Sequence, residues 1–142
     1  MSRFATMLTV LTLAIAVAPV SAEPIKTETA TPLMQQELPN VPGKSFTSAI
    51  VTFPPGSSAA PHRHGQAFVF AYVLEGTVRS QLGDEPVRIY TIGQSWSEPP
   101  GAHHVVTENV SAILPAKLLV IFIGDKGQAL KTDDSTSPTN PN

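Results

Sequence analysis

Residues 61–76 read PHRHGQAFVFAYVLEG. His62 and His64 stand two apart between Pro61 and Gly65, and the run FVFAYVL (68–74) follows them. In an extended segment residues i and i+2 project to the same side, so the two imidazoles point together. Imidazole suits Zn, Cu, Fe and Ni. The apolar run is rich in aromatic and β-branched side chains and ends in Glu75-Gly76, so it reads as a strand closed by a turn. A metal site fed by such a pair calls for an acidic ligand a few residues later. The positions that follow hold Phe68 and Val69 instead.

Working outward, the same texture recurs. SFTSAIVTF (45–53) alternates and reads as a strand, and PPGSSAAP (54–61) reads as a loop. Further strands are expected over Ala67–Leu74, 77–82, 86–92, 95–98, 105–109 and 117–124, with turns at Glu75-Gly76, Gly83-Asp84, Gly93-Gln94 and Pro99–Gly101. KLLVIFIG (117–124) has no polar residue from Leu118 to Ile123, which suits a strand buried on both faces. Short strands at spacings of about 8–12 residues predict an all-β sandwich or barrel. No Gly-rich phosphate loop and no internal repeat interrupt the pattern.

The chain of 142 residues is long enough for one domain. With 42% hydrophobic and 14% charged residues and a net charge of −2, it carries no basic footprint, so no nucleic-acid partner is expected. Residues 1–22 read as an export signal: Arg3 is the positive end, Met7–Ala18 the apolar stretch, and Val20-Ser21-Ala22 the small residues before a cut. That apolar stretch is shorter than the ~20 residues of a span, so no stable membrane insertion is expected after cleavage. The expected location is periplasmic or secreted. There is no Cys, which excludes a lipid-anchored cysteine, disulfides and thiol chemistry. Glu23–Lys44 reads as an extended arm, 45–124 as the β domain, and 125–142 as a polar, disordered tail.

The four histidines, His62, His64, His103 and His104, fall in two Pro/Gly loops that feed strands. Residues 56–76, GSSAAPHRHGQAFVFAYVLEG, resemble the first motif of the cupin superfamily: Gly, five residues, His-x-His, three or four residues, Glu, six residues, Gly. Gly56, His62, His64 and Gly76 match it. Residues 93–109, GQSWSEPPGAHHVVTEN, resemble the second motif: Gly, five residues, Pro-x-Gly, two residues, His, three residues, Asn. Gly93, Pro99, Gly101 and His104 match it. The last Asn is displaced by one, with Glu108 at its place and Asn109 next. The resemblance implies a single cupin (double-stranded β-helix, jelly-roll) barrel in which His62, His64 and His104 converge on one divalent metal. Nothing in it chooses among Fe, Mn, Ni, Cu and Zn. The motif glutamate does not carry over, because its place falls on Phe68 or Val69.

Three closures of the site follow. Water or substrate completes a three-histidine centre, which leaves an open, strongly Lewis-acidic metal suited to catalysis. Or another side chain is recruited: Glu98, an acid in an apolar strand beside the Pro-Pro-Gly turn, or Gln66, at i+2 from His64, with His103 the less suited neighbour of His104. Or the barrel has lost its metal. On the strand after the His pair, Phe68, Phe70 and Tyr72 share one face and Val69, Ala71 and Val73 the other; with Trp96, the aromatic set is the candidate pocket lining. Arg63 should face away from the histidines. The leading function is an exported cupin binding one divalent metal for oxidoreductase-type, dioxygenase-like chemistry on a small organic molecule, with Glu98 the acid placed to shuttle protons. Its rival is a non-catalytic module holding a small ligand or a metal. The apolar arm and the resemblance imply a homodimer.

Overall fold

The computed structural model describes residues 27–134. The export signal assigned to 1–22 lies outside the described residues, as does the tail from 135 onward. The described chain is all β, in the order β1 (Thr29–Glu37), β2 (Lys44–Phe53), β3 (His62–Arg63), β4 (Phe68–Glu75), β5 (Thr77–Leu82), β6 (Arg88–Thr91), β7 (Ser95–Glu98), β8 (His103–Asn109), β9 (Ala116–Asp125) and β10 (Thr132–Asp133). They form two five-stranded sheets, β1-β2-β9-β4-β7 and β10-β3-β8-β5-β6, in which every pairing is antiparallel. Among the described residues no helix is long and apolar enough to cross a membrane.

Period-two alternation sets which residues meet inside. Across the first sheet, register places Trp96, Ala71, Val120 and Ala49 in one inward row. The next row is Glu98, Val69, Phe122 and Thr47. Ala71, Val69 and Val73 are almost fully buried, as are Leu118 and Phe53. The two alanines in the first row keep the space between the sheets partly open. The opposite face of β4 carries Phe68, Phe70 and Tyr72, which are exposed or half-buried. The expectation that these three line a pocket is therefore corrected: the small and aliphatic set went inward and the aromatic set outward. β9 is corrected too. Leu118, Val120 and Phe122 are buried, while Leu119 and Ile121 are half-buried and Ile123 exposed, because none of the described residues covers the outer face of this sheet.

Residues 126–134, expected within a disordered tail, instead fold back over the barrel. Gln128 Nε2 donates to the His64 carbonyl (3.0 Å), and β10 pairs with β3. Gly65 is required here: its φ is +56°, and a side chain at that position would collide with the Gln128 amide. The arm contributes β1, which pairs along β2.

The displaced asparagine has a structural cause. Leu82 pairs with His104 and Gln81 with Val106, so Val105 is an extra residue in β8. Such a bulge shifts the phase of a strand by one. Inward positions therefore run His104, Thr107, Asn109, all buried, and Glu108 turns out to pair with Arg79. Asn109 does the work of the motif asparagine one position late. Its Nδ2 donates to the carbonyls of Leu114 (2.7 Å), Pro54 (3.1 Å) and Phe53 (3.3 Å), and its Oδ1 accepts from the Ser111 N–H (2.9 Å). Asn109→Ala removes the donor that these carbonyls share and should cost roughly 2–3 kcal/mol in urea unfolding. Glu108→Ala removes only a half-exposed ion pair and should change stability by less than about 1 kcal/mol in the same measurement.

Candidate metal centre

The first motif turns inward at β3. His62 and His64 are buried, and Arg63 between them is exposed, its guanidinium donating to the Gly101 carbonyl (3.1 Å). The second motif arrives on β8, where His104 lies directly opposite His62 in the β3–β8 pairing. The ring centroid of His62 lies 4.8 Å from that of His64 and 5.0 Å from that of His104. One ligand nitrogen from each of the three falls within 4.8 Å of the others. His103, the neighbour on β8, faces outward to Asp134 (2.8 Å) and takes no part.

Two of the rings are oriented by backbone. Nδ1 of His62 donates to the Ala60 carbonyl (2.7 Å), and Nδ1 of His64 donates to the Leu130 carbonyl in the returning C-terminal segment. Those contacts fix the tautomer and leave Nε2 of each ring with its lone pair available. His104 is held from both sides. Its Nε2 lies 2.8 Å from Ser80 Oγ, and its Nδ1 is 3.0 Å from Glu98 Oε1. Burial lowers the His62 pKa from 6.5 to about 4, against the Ala60 contact, and the neighbouring His104 and His64 lower it further. Burial likewise lowers that of His64, opposed by its contacts to Leu130 and Glu98. Neutral, desolvated imidazoles are in the protonation state that a metal requires.

Glu98 is 2% exposed and lies beside two of the three histidines, His64 and His104. Its Oε1 accepts from Trp96 Nε1 (3.0 Å) and lies 3.0 Å from His104 Nδ1. Its Oε2 has no hydrogen-bond partner and lies 3.6 Å from His64 Nε2. Burial acts to raise the Glu98 pKa, but the contacts from His104, His64 and Trp96 outweigh it and hold the carboxyl below its ordinary value. Gln66, the other acid-replacement candidate, is exposed and lies outside the cavity wall. The residues present fit a divalent cation: three imidazoles bring ligand nitrogens within 4.8 Å of one another, and beside two of them lies a buried carboxylate oxygen without a hydrogen-bond partner.

The cluster opens on a cavity of ≈ 230 Å³ lined by Ala49, Val51, Phe53, Ala71, Trp96, Leu118, Val120 and Phe122 among others. Trp96 thus lines it, stacked on Tyr90 at 4.6 Å. Thr47 and Thr107 also line it, and both have buried hydroxyls without a partner. Sequence reasoning missed both, together with Ser80 and the Leu130–Lys131 segment at the edge. Thr107 becomes inward only through the bulge at Val105, which no local residue pattern announces.

A family model described as a cupin domain matches residues 49–122, just over half of the sequence. The chain belongs to the cupin family. No curated protein matches it significantly. Among solved structures, this cupin is similar to TT1209 from Thermus thermophilus, with 27% identity over 68% of this chain and 82% of that one and a TM-score of 0.56. It is similar to the DMSP lyase DddQ from Ruegeria pomeroyi, with 24% identity over 68% of this chain and 45% of that one and a TM-score of 0.56. It is also similar to an oxalate oxidase, with 23% identity over 67% of this chain and 50% of that one and a TM-score of 0.54. The chain thus spans about half the length of the latter two, and at those identities they show the fold alone.

The histidines give a pH prediction for the metal-free protein. Between about pH 4 and 6.5 the unfolded chain binds a proton at residue 62 that the folded chain does not. Stability should therefore fall as pH drops through that window, by up to roughly 3 kcal/mol from this residue. Urea unfolding in chelator at several pH values checks it, and the His62→Ala variant should show a shallower acid slope than wild type.

Proposed function

We propose that this cupin is exported and holds one divalent metal on His62, His64 and His104. We propose that it uses the metal in oxidoreductase-type, dioxygenase-like chemistry on a small, largely apolar organic molecule. One observation carries the reading: three imidazoles with clustered ligand nitrogens stand at the wall of an apolar cavity that holds two unsatisfied hydroxyls. When bound, the metal would supply Lewis acidity and, if it is iron, a site for O₂. The chain's own residues do the rest. The backbone carbonyls of Ala60 and Leu130 orient two imidazoles, and Ser80 holds the third. Trp96 and the inward rows exclude water. Thr47 and Thr107 offer hydrogen bonds to the one or two polar atoms of an otherwise apolar guest.

The cavity, at ≈ 230 Å³, is smaller than the ~300–1,000 Å³ of pockets for drug-sized ligands, which favours a compact molecule. The one lysine at the wall, Lys131, is already paired with Glu28 and Asp133, so the counter-charge for an anionic guest would have to come from the metal itself. A binding module without turnover is the rival, and the two part on product formation.

Metal per chain, measured by elemental mass spectrometry on untagged protein recovered from its exported form, should be near one. It should fall to background in His62→Ala and His104→Ala. Metal content unchanged by either substitution would sink the site. With metal present, O₂ consumption and product over a panel of small apolar substrates would support the enzyme. Thermal stabilisation by a substrate without product would favour the binding module.

We also propose that a second copy of the chain covers the outer face of the first sheet. Register aligns Phe68, Ile123 and Phe46 in one outward row and Tyr72, Leu119 and Ile50 in another, an apolar surface without a charged side chain in either row. Such faces mark association sites. Light scattering should give a dimer, and Ile121→Lys, at the centre of that face, should give a folded monomer. A wild-type monomer at high micromolar concentration would refute it.

A further inference from the structure

We propose that Glu98 is the fourth ligand of the centre, delivering from β7 the carboxylate that the cupin motif would place at Val69 on β4. The inference rests on the reading that the three histidines hold a metal.

Val69 and Glu98 are direct partners in the β4–β7 pairing. Opposed residues in an antiparallel pair project to the same face, with Cβ atoms about 5 Å apart. The acid has thus moved one strand sideways while staying on the inner face and at the same level of the barrel. Both side chains are nearly inaccessible, Val69 at 1% and Glu98 at 2%.

The carboxylate is also aimed. Trp96 Nε1 and His104 Nδ1 both contact Oε1, each at 3.0 Å, which fixes the plane of the group. That leaves Oε2 turned toward His64 Nε2 at 3.6 Å, too far for a hydrogen bond, and without any partner. A buried carboxylate oxygen with no donor is costly, and a cation held jointly with the imidazoles would satisfy it. The pairing explains the valine as well. A second carboxylate at position 69 would stand directly opposite Glu98, and like charges in that relation are destabilising. The two positions are alternatives, of which one carries the acid.

The test compares wild type, Glu98→Gln, His62→Ala and the exchange variant Val69→Glu/Glu98→Val in the full exported protein. Each is stripped of metal and titrated with Co²⁺ and with Zn²⁺. Affinity is read by chelator competition and the Co²⁺ environment by its visible absorption. Glu98→Gln should bind at least ~100-fold more weakly, the upper end of what loss of a supporting contact alone would cause, with an altered Co²⁺ spectrum. The exchange variant should recover most of that affinity. Wild-type affinity and an unchanged spectrum in Glu98→Gln, with binding lost in His62→Ala, would overturn the role of Glu98 and leave the three-histidine centre standing. No binding by wild type would overturn both. Should Glu98→Gln fail to fold, infrared difference spectra of wild type with and without Zn²⁺ decide: a shifted carboxylate stretch supports ligation, and its absence overturns it.

Discussion

The structure turns on one buried carboxylate. Glu98 is almost fully buried beside His64 and His104, and such a charge is tolerated only where it is paired and hydrogen-bonded. Trp96 and His104 meet one of its oxygens. The indole is itself positioned by stacking on Tyr90, and the imidazole by Ser80. The polar cluster thus reaches into both sheets: β7 supplies Glu98 and Trp96, β8 supplies His104, β5 supplies Ser80, and β3 with the residue after it supplies His62 and His64. A defect in any of these strands is felt at the centre, because the remaining oxygen of Glu98 has no alternative partner.

The phase of β8 is the second determinant. Without the extra residue at Val105, a strand that points His104 inward would also point Glu108 inward and Asn109 outward. That would bury a second acid and leave the carbonyls of Phe53, Pro54 and Leu114 without their shared donor. The bulge instead sends Glu108 out to Arg79 and brings Thr107 into the cavity wall with its hydroxyl unsatisfied. One inserted residue therefore decides both a structural clamp and an unsatisfied hydroxyl in the cavity wall.

The first sheet does two different jobs on its two faces. Inside, alanines at 49 and 71 hold open the volume beside the histidines. Outside, aromatic and aliphatic rows lie across β4, β9 and β2 without a cover from the described residues of the same chain. Alternation along β4 and β9 separates these faces residue by residue, so a substitution on one strand bears on the cavity or on the outer surface, according to its parity.

The sequence by itself determined the all-β class, most of the strands and the identity of the three histidines. Those depend on period-two hydrophobicity, Gly and Pro at turns, and fixed spacings within two short motifs, all of which are local. It left the missing acid open between closure by water or substrate, recruitment of Glu98 or Gln66, and loss of the metal, since nothing along the chain says which residue faces Val69 from the neighbouring strand. Only the tertiary structure decided which residue faces Val69: the β4–β7 register puts Glu98 there. It also decided which face of FVFAYVL turned inward, because alternation fixes the two faces without saying which one meets the other sheet. The same holds for Thr47, Thr107 and Leu130, whose places come from strand pairing, a bulge and a returning segment between residues far apart in the chain. Local pattern names the groups that can do chemistry; register between distant strands determines which of them meet.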